Sequence, residues 1–298
     1  MDKSLKGVRI LSLALNLPGP AALMRCRAMG ATCTKLEPPA PSGSASGARG
    51  EASGDPMSLY NRAAYDAMHA GVRTVTADLK SDKGQQALHR LLVKTDVLLT
   101  SFRPSALQKL GLTWKALHKQ YPALSMVQIV GAPGERAEEP GHDLTYLAEN
   151  DLVTGLDLPA TLYADMGGSL MASEAVLKVR LQSMRSGKGV LLEIALSEAA
   201  AYLALPRTWG LTKPGAAVGG GHAGYRVYAC KDGRVALAAL EPHFARSLAT
   251  LAGLEQSNMA AMFTPQAQTA IAQFMAGKTR KQLDALAIKH DRPLHTLR

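Results

Sequence analysis

The amino-acid sequence predicts an α/β protein with a Rossmann-like, doubly wound parallel sheet in a large domain, followed by a smaller α+β domain. In the first two-thirds of the chain, short apolar runs of strand length alternate with segments of helical character, beginning with 8–15 and 21–29. Such alternation is typical of parallel strands joined by crossover helices. After residue 225 the pattern changes to a hairpin followed by helical segments, which predicts a second domain of a different class.

Two predicted strands of the large domain, 8–15 and 96–102, are apolar runs of the kind that forms buried strands, and the other four are predicted from their strand-like composition and length. The predicted strands are VRILSLAL (8–15), CTKLE (33–37), VRTVTADL (72–79), DVLLTSF (96–102), SMVQIVG (125–131) and VLLEIAL (190–196). The predicted helices are 21–29, 83–94, 104–110, an alanine-rich segment after Asp165, and SEAAAYLAL after the last strand. The first helix ends before Gly30, a residue typical of helix C-termini.

Changes in composition mark the domain boundaries. The stretch 38–56 is rich in Pro, Gly, Ser and Ala and is predicted to be a loop. We expect a large domain over 1–200, a linker with a glycine loop over 201–224, and a small domain over 225–298. The small domain begins with a hairpin, YRVYAC and RVALAAL around a Lys-Asp-Gly turn, and is expected to be mainly helical from Glu241 onward.

The bulk composition is that of an ordinary globular protein, with 47% hydrophobic and 19% charged residues among 298. No apolar run reaches the roughly 20 residues that cross a bilayer, and the three cysteines form no Cys-x-x-Cys pair. We therefore expect a cytoplasmic protein without a membrane partner or a metal site. The net charge of +10 allows a nucleic-acid partner. The cations are dispersed and aromatic residues amount to 5%, so a small polyanionic ligand is the better interpretation.

Several familiar site motifs are absent from the sequence. It contains no Gly-x-Gly-x-x-Gly after the first strand, no Walker loop and no Gly-x-Ser-x-Gly elbow. Polar residues do stand at element boundaries, namely His142, Asp165 and Glu241. Each also has an ordinary explanation: a surface histidine, a helix cap at Asp165, and an acid at the start of a helical region. Taken singly, these residues do not define a function.

Taken together, a series of segments resembles the family III CoA-transferases (CaiB/BaiF-like), which include the α-methylacyl-CoA racemases. The resemblance covers essentially the whole chain in family order. The segments that carry it are LKGVRILSLALNLPGPAALM, MGATCTKLEPP, TADLKSDKGQQAL, DVLLTSFRPSALQKLGL, PGHDLTYLA, ADMGGSLMAS, SGKGVLLEIALSEAAAYLA and YRVYACKDGRVALAALEPHF.

The resemblance implies catalytic roles at three positions. Asp165 stands where the family has its central carboxylate. In transferases that carboxylate attacks the thioester and forms a mixed anhydride. In racemases it acts as an acid/base opposite the histidine that corresponds to His142. One of the two removes the α-proton of the substrate, and the other returns a proton to the opposite face of the resulting enolate. Glu241, in Glu-Pro-x-Phe, is implied to tune the racemase site, and backbone N–H groups at a helix start near Gly167 and Gly168 are expected to stabilise the oxyanion.

The resemblance also implies how substrate is held. Coenzyme A is expected as part of the substrate, an acyl-CoA thioester, with no permanently bound cofactor. The implied coenzyme A contacts are Lys80, Phe102, Arg103 and Lys109, whose cations suit its phosphates. The implied mobile glycine loop over the reaction centre is Gly219, Gly220 and Gly221. Family members form interlocked dimers, so a homodimer is expected.

The sequence departs from the family pattern at Pro38, at 69–73 and over 130–140. It also ends at DRPLHTLR, before the segment that in the family returns to the large domain, which predicts a more open ring in the dimer. A histidine at position 142 favours racemase-type proton transfer. CoA transfer through Asp165 stays open, as does a non-catalytic acyl-CoA-binding relative.

Overall fold

A six-stranded parallel sheet forms the centre of the first of two units, Met1–Ala204 and Leu205–Arg298. The computed structural model describes residues 3–41, 53–255 and 258–298. The strands of this sheet are β1 (Arg9–Ser12), β2 (Thr32–Glu37), β3 (Arg73–Thr76), β4 (Val97–Thr100), β5 (Ser125–Val130) and β6 (Leu191–Ala195). All six predicted strands are present; five are shorter than predicted by one to four residues, and β2 begins one residue earlier.

Nine helices of the described chain surround this sheet. They are α1 (Pro18–Ala28), α2 (Pro56–Tyr60), α3 (Arg62–His69), α4 (Asp82–Leu92), α5 (Pro104–Lys109), α6 (Trp114–Gln120), α7 (Asp143–Glu149), α8 (Tyr163–Ser186) and α9 (Leu196–Leu203). A 3-10 helix, Gly134–Glu138, follows β5. Local chemistry explains several helix starts: proline stands in the first turn of α1 and α5, and the Ser81 hydroxyl caps α4.

The sheet order is β3-β2-β1-β4-β5-β6, with every neighbouring pair parallel. This order confirms the predicted fold class. The chain adds β2 and β3 on one side of β1 and then adds β4, β5 and β6 on its other side, as in doubly wound folds. The loops that follow these two strands lead to opposite sides. The carboxyl ends of β1 and β4 therefore border a crevice at one edge of the sheet.

Strand β4 shows how the sheet divides the core. All four of its residues are fully buried. Val97 and Leu99 contribute to one apolar cluster with residues of α1 and α8, whereas Leu98 contributes to another with residues of α4 and α5. Successive side chains of a strand point to opposite faces, so β4 stabilises helical layers on both sides. The continuous apolar run predicted this two-sided burial.

The second unit, considered by itself, is an antiparallel three-stranded sheet with helices. Its elements are α10 (Leu205–Thr208), β7 (Tyr225–Cys230), β8 (Gly233–Ala238), α11 (Pro242–Leu251), α12 (Pro265–Ala276), α13 (Arg280–His290) and β9 (Leu294–Leu297). The predicted hairpin is β7–β8. The mainly helical prediction after Glu241 was wrong at its end, because β9 pairs with β8 and completes the sheet.

Two predicted loops have partial outcomes. The stretch 42–52, most of the loop predicted at 38–56, lies outside the described residues. Within 201–224, where a linker was expected, the structure has the end of α9, the short helix α10 and a 3-10 helix, Ala217–Gly219. Among the described helices, none combines the length and the apolar character needed to span a bilayer.

The burial of β4 gives a direct test of the core. Leu98→Ala is expected to lower the free energy of unfolding by about 2–5 kcal/mol, because it removes buried methyl groups and leaves a cavity between sheet and helices. Urea denaturation followed by circular dichroism measures this. Leu156→Ala is the matched control, since Leu156 is fully exposed at 105%, and its expected effect is below about 0.5 kcal/mol. Equal losses for both variants would contradict this assignment of the core.

Candidate active site

A cavity of ≈ 170 Å³ lies in the crevice at the carboxyl ends of β1, β4 and β5. Its wall comes from the loops after these strands and from the first residues of α7 and α8. The lining residues are Leu15, Asn16, Pro18, Ser101, Arg103, Ile129, Val130, Gly131, Ala137, Glu139, Gly141, His142, Tyr146, Asp165 and Leu196. The structure thus brings three residues singled out from the sequence, Arg103, His142 and Asp165, to one cavity.

Asp165 lies in the first turn of α8, the third residue of the helix. The sequence-based helix start at Gly167 was wrong, since α8 begins at Tyr163. The backbone N–H of Asp165 donates to Oδ1 of Asp143 at 3.0 Å. Burial, followed by repulsion from the Asp143 carboxylate, raises the pKa of Asp165 to about 6. A carboxyl group with that pKa exchanges a proton readily near neutral pH.

His142 is the N-cap residue of α7 and is exposed at the cavity. Its backbone N–H donates to the Thr145 hydroxyl at 3.0 Å, and that hydroxyl donates to the His142 carbonyl at 2.7 Å. The preceding residue must be small, because a Cβ on Gly141 would lie 2.5 Å from the Tyr146 hydroxyl. The backbone of His142 is therefore fixed while its imidazole remains accessible.

Asp143 connects His142 and Asp165. It is 5% exposed, follows His142 directly in the chain, and accepts the backbone N–H of Asp165. A carboxylate near a helix N-terminus is also favoured by the helix dipole. The Gly-His-Asp segment thus supplies both the imidazole and the group that holds the start of α8. The sequence singled out this segment, but not the contact between Asp143 and Asp165.

The expected oxyanion donors at Gly167 and Gly168 were wrong. Both lie beyond the first four residues of α8, where a backbone N–H is engaged within the helix. Gly168 is instead required by helix packing, because a Cβ there would lie 2.3 Å from Leu196 Cδ2 of α9. The N–H groups of Tyr163 and Ala164 are the ones that precede the helical ladder, and no acceptor contacts them among the described residues.

The four implied coenzyme A contacts have different positions. Arg103 is exposed, lines the cavity and precedes α5. Phe102 packs against the apolar cluster beneath β4, and Lys109 is exposed in the last turn of α5. Lys80 is exposed in the turn between β3 and α4, where its N–H donates to Asp78 at 3.0 Å. Of these four residues only Arg103 lines the cavity.

Glu241 and the glycine run belong to the second unit. Glu241 is the N-cap residue of α11 and makes no side-chain cap hydrogen bond. Gly219 ends a 3-10 helix, the Gly220 carbonyl accepts from Arg226 at 2.6 Å, and the Gly221 carbonyl accepts from Gln268 at 3.0 Å. Within this unit the run is a turn held by two side chains. Its role over a reaction centre stays a prediction.

Two cavity residues were missed by the sequence interpretation. Asn16 follows β1 and has a left-handed backbone, with φ of 63°. Glu139 follows the 3-10 helix, where its carboxylate pairs with Arg136 at 2.9 Å. An asparagine in a strand-to-helix turn is a weak signal for a left-handed residue. The segment around Glu139 was noted only as a departure from the family pattern.

A second group of charged residues lies buried between β2, α2 and α3. The Lys35 ammonium is fully buried and contacts Asp55, Glu37 (2.9 Å) and His69 Nε2 (2.9 Å). Glu37, Asp55 and His69 are close enough together to ligate a metal ion, but the ammonium binds all three. Burial, with the Lys35 charge second, lowers the pKa of His69, so a neutral imidazole accepts from the ammonium. The chain supplies its own cation here.

The cysteines are unsuited to nucleophilic chemistry. Cys26 and Cys33 are buried, and burial raises the pKa of each thiol to about 12. A thiol with that pKa is protonated at neutral pH and is a poor nucleophile. Cys230 is at the end of β7 in the second unit. None of the three cysteines lines the cavity.

The doubly wound fold and this cavity define a class of α/β protein with a partly buried carboxyl group, whose pKa is raised, at the point where strand order reverses. The chain belongs to CoA-transferase family III, whose model matches residues 5–298. It is therefore a member of a family of enzymes, and the resemblance found in the sequence is confirmed.

Individual relatives carry two kinds of name. The chain is 27% identical to the human α-methylacyl-CoA racemase, covering 94% of this chain and 74% of that protein. It is 30% identical to the succinyl-CoA–D-citramalate CoA-transferase of Chloroflexus aurantiacus over 66% of this chain and 50% of that protein. A crystal structure of a hypothetical protein from Mycobacterium tuberculosis superposes with a TM-score of 0.80 at 21% identity, covering 100% of this chain and 86% of the other. That structure supports the fold.

The raised pKa of Asp165 makes a prediction about stability. The folded-state pKa of about 6 exceeds the unfolded value of about 3.9. Ionisation of Asp165 therefore lowers the free energy of unfolding as the pH rises from about 4 through 6. Asp165→Asn should therefore raise the free energy of unfolding at pH 8, by up to about 3 kcal/mol, and change it little at pH 4. Denaturant unfolding at the two pH values measures the difference.

The exposed Asp157 provides the matched control for this test. Asp157→Asn should leave the free energy of unfolding the same as in the unmodified protein at both pH values. A stabilisation by Asp165→Asn that is equal at pH 4 and pH 8 would contradict a raised pKa, since it would not follow ionisation.

Proposed function

We propose that this chain catalyses racemase-type proton transfer at the α-carbon of an acyl-CoA thioester, with Asp165 and His142 as the acid/base pair. The observation that carries the proposal is the arrangement of the cavity. A partly buried carboxyl group whose pKa is raised to about 6 and an accessible imidazole line one small space.

The proposed reaction needs one base and one acid. The ionised carboxylate of Asp165 takes the α-proton, and the C–H electron pair forms the C=C bond of an enolate whose oxygen carries the charge. Protonated His142 then gives a proton to the opposite face of the α-carbon. The reverse direction exchanges the roles. Since each group ends with the proton state that the other direction needs, no co-reactant is consumed.

The substrate class follows from the relatives. The human relative is named for racemisation of α-methylacyl-CoA, and this chain matches it over 94% of its length. We therefore propose a 2-methylacyl-CoA as substrate. Arg103 is exposed at the cavity and is proposed to bind a phosphate of coenzyme A. The same role is proposed for Lys80 and Lys109, with Phe102 as an apolar contact.

Residues of the second unit complete the proposal. Glu241 is proposed to tune the acid/base pair, because its carboxylate makes no cap hydrogen bond within its own unit. The turn of Gly219, Gly220 and Gly221 is proposed to cover the bound acyl group. Neither role is needed for proton transfer itself, which depends on the two residues of the first unit.

CoA transfer is the second candidate function. Several relatives are CoA-transferases by name, at 28–31% identity, and a nucleophilic carboxylate suits that chemistry too. Asp165 would attack the thioester carbonyl and the C–S bond would break, giving an acyl-aspartyl anhydride and the coenzyme A thiolate. The thiolate would attack the aspartyl carbonyl and release the first carboxylate, giving an aspartyl-CoA thioester. A second carboxylate would attack this thioester, and the released thiolate would then attack the new acyl carbon, giving the second acyl-CoA and free Asp165. His142 has no necessary part in this route, which separates the two candidates.

Isotope exchange distinguishes these functions. With 2-methylbutanoyl-CoA in D₂O, the chain is expected to place deuterium at the α-carbon, measured by mass spectrometry. His142→Ala and Asp165→Ala should each lower the exchange rate at least about 100-fold, because general acid–base groups contribute about 10²–10⁴-fold. The exposed His290 is the matched control, and His290→Ala should exchange at the unmodified rate.

Other outcomes select the alternatives. An acyl-enzyme trapped by hydroxylamine, lost in Asp165→Ala but retained in His142→Ala and unaccompanied by exchange, would favour CoA transfer. Binding of the thioester with neither signal would favour a non-catalytic acyl-CoA-binding protein. Failure to bind any acyl-CoA would reject all three.

We also propose that the protein is a homodimer. The described surface of the first unit exposes large apolar side chains, including Leu158, Leu181 and Met184 at 59–77%, and the last two lie one turn apart on α8. Neighbouring exposed apolar side chains are typical of interaction surfaces. Size-exclusion chromatography with light scattering should give about 63 kDa at micromolar concentration, twice the mass of the 31.5 kDa chain. A mass of one chain would contradict the proposal.

A further inference from the structure

The turn after β1 is held in place mostly by side chains. The N–H of Ala14 donates to the Ser12 hydroxyl at 3.2 Å, and that of Leu15 to the Ser101 hydroxyl at 3.3 Å. The N–H of Asn16 donates to Oδ1 of Asp55 at 3.1 Å. The path of the chain into the cavity is therefore fixed one residue at a time.

Asn16 has an unusual backbone at this point. Its φ of 63° is in the left-handed region, where only two other non-glycine residues of the described chain lie. Asparagine tolerates this region better than most residues. The hydrogen bond from its N–H to Asp55 gives this conformation a specific partner, so the orientation of Asn16 depends on Asp55.

Asp55 is itself held rigidly. It is fully buried, contacts the Lys35 ammonium through Oδ2, and accepts the N–H of Met57 at 2.9 Å through Oδ1, which caps α2. Lys35 is bound in turn by Glu37 and His69. A buried, fully partnered charge network resists movement, because displacing one member leaves another charge unpaired.

The side chain of Asn16 has no comparable partner. No hydrogen bond joins its amide to any other described residue, and its atoms are not among the buried unpaired ones. Asn16 lines the same cavity as Asp165 and His142. Because the backbone of Asn16 is fixed beside the cavity and its N–H₂ has no partner among the described residues, the amide can donate a hydrogen bond to a ligand there.

We propose that Asn16 is a catalytic residue whose side-chain amide donates a hydrogen bond to the thioester carbonyl oxygen, and that Asp55, held by Lys35, is the residue that positions it. This inference rests on the proposed function. Negative charge accumulates on that oxygen in enolate formation and in nucleophilic attack alike, so the donor serves either chemistry. A preorganised donor of this kind is typical of oxyanion stabilisation.

Carbonyl polarisation tests the proposal without turnover. The probe is a ketone analogue of propionyl-CoA in which a methylene replaces the thioester sulfur and the carbonyl carbon is ¹³C. A hydrogen bond moves the carbonyl resonance downfield when the analogue binds. Asn16→Gly retains a residue suited to left-handed backbone but lacks the amide, and it should lose most of that downfield shift. Its Kd for the analogue should stay within about threefold, and its kcat for α-exchange should fall about 10²-fold.

The positioning role of Asp55 has its own comparison. Asp55→Ala removes the acceptor of the Asn16 N–H and should lose the downfield shift, whereas Asp55→Asn keeps a side-chain oxygen and should restore it. A purely structural effect would instead lower the melting temperature without such rescue of the carbonyl resonance. Asn258→Gly, an exposed asparagine of the second unit, is the matched control and should retain the full shift.

The outcomes separate this inference from the function on which it rests. If Asn16→Gly binds the analogue with an unchanged carbonyl resonance, Asn16 is not the donor and the proposal is overturned. If Asp55→Asn behaves like Asp55→Ala, the positioning role is overturned. If the unmodified protein does not bind the analogue at all, the proposed function fails, and this inference fails with it.

Discussion

The reversal of strand order between β1 and β4 is the constraint on which the site depends. These strands are neighbours in the sheet, but the chain leaves them toward opposite sides, so their carboxyl ends cannot be closed by a single helix. The space is instead lined by three loops and by the first turns of α7 and α8. These loops bring the polar side chains of Asn16, Ser101, Arg103 and Glu139 to the cavity. The sheet therefore determines where the cavity lies, and the loops determine which side chains line it.

Asp55 and Asp165 are both removed from water, but this burial has different consequences for the two carboxyl groups. Asp55 is fully buried beside an ammonium group, which compensates its charge. Asp165 is partly buried, forms no salt bridge among the described residues, and has a second carboxylate nearby. Its charged form is therefore disfavoured, and its pKa rises toward neutrality. The paired acid contributes rigidity, whereas the unpaired acid changes its protonation state closer to neutral pH, because its ionised form is poorly stabilised.

Much of the fold could be predicted from sequence because its signals are local. Apolar runs such as 96–102 identified every strand of the parallel sheet. The short strand β9 carries no such run and gains its partner only from β8, so it was missed. At the site, motif resemblance found Asp165 and His142. Asn16 could not be found in this way, because its backbone is held by a hydrogen bond to Asp55, which is 39 residues away in the chain. The Gly167–Gly168 pair was misinterpreted because close helix packing and an open helix start favour the same small residue.

The link between Asp143 and Asp165 has a consequence for how this site can evolve. The connection runs from the backbone of His142 through the Asp143 carboxylate to the backbone N–H of Asp165, and the imidazole takes no part in it. Position 142 can therefore accept another side chain while the carboxyl group of Asp165 keeps its place. The scaffold thus separates the residue that holds the start of α8 from a neighbouring position whose side chain is free to vary. Single substitutions at position 142 can then change the wall of the cavity with no need to rebuild the crevice around it.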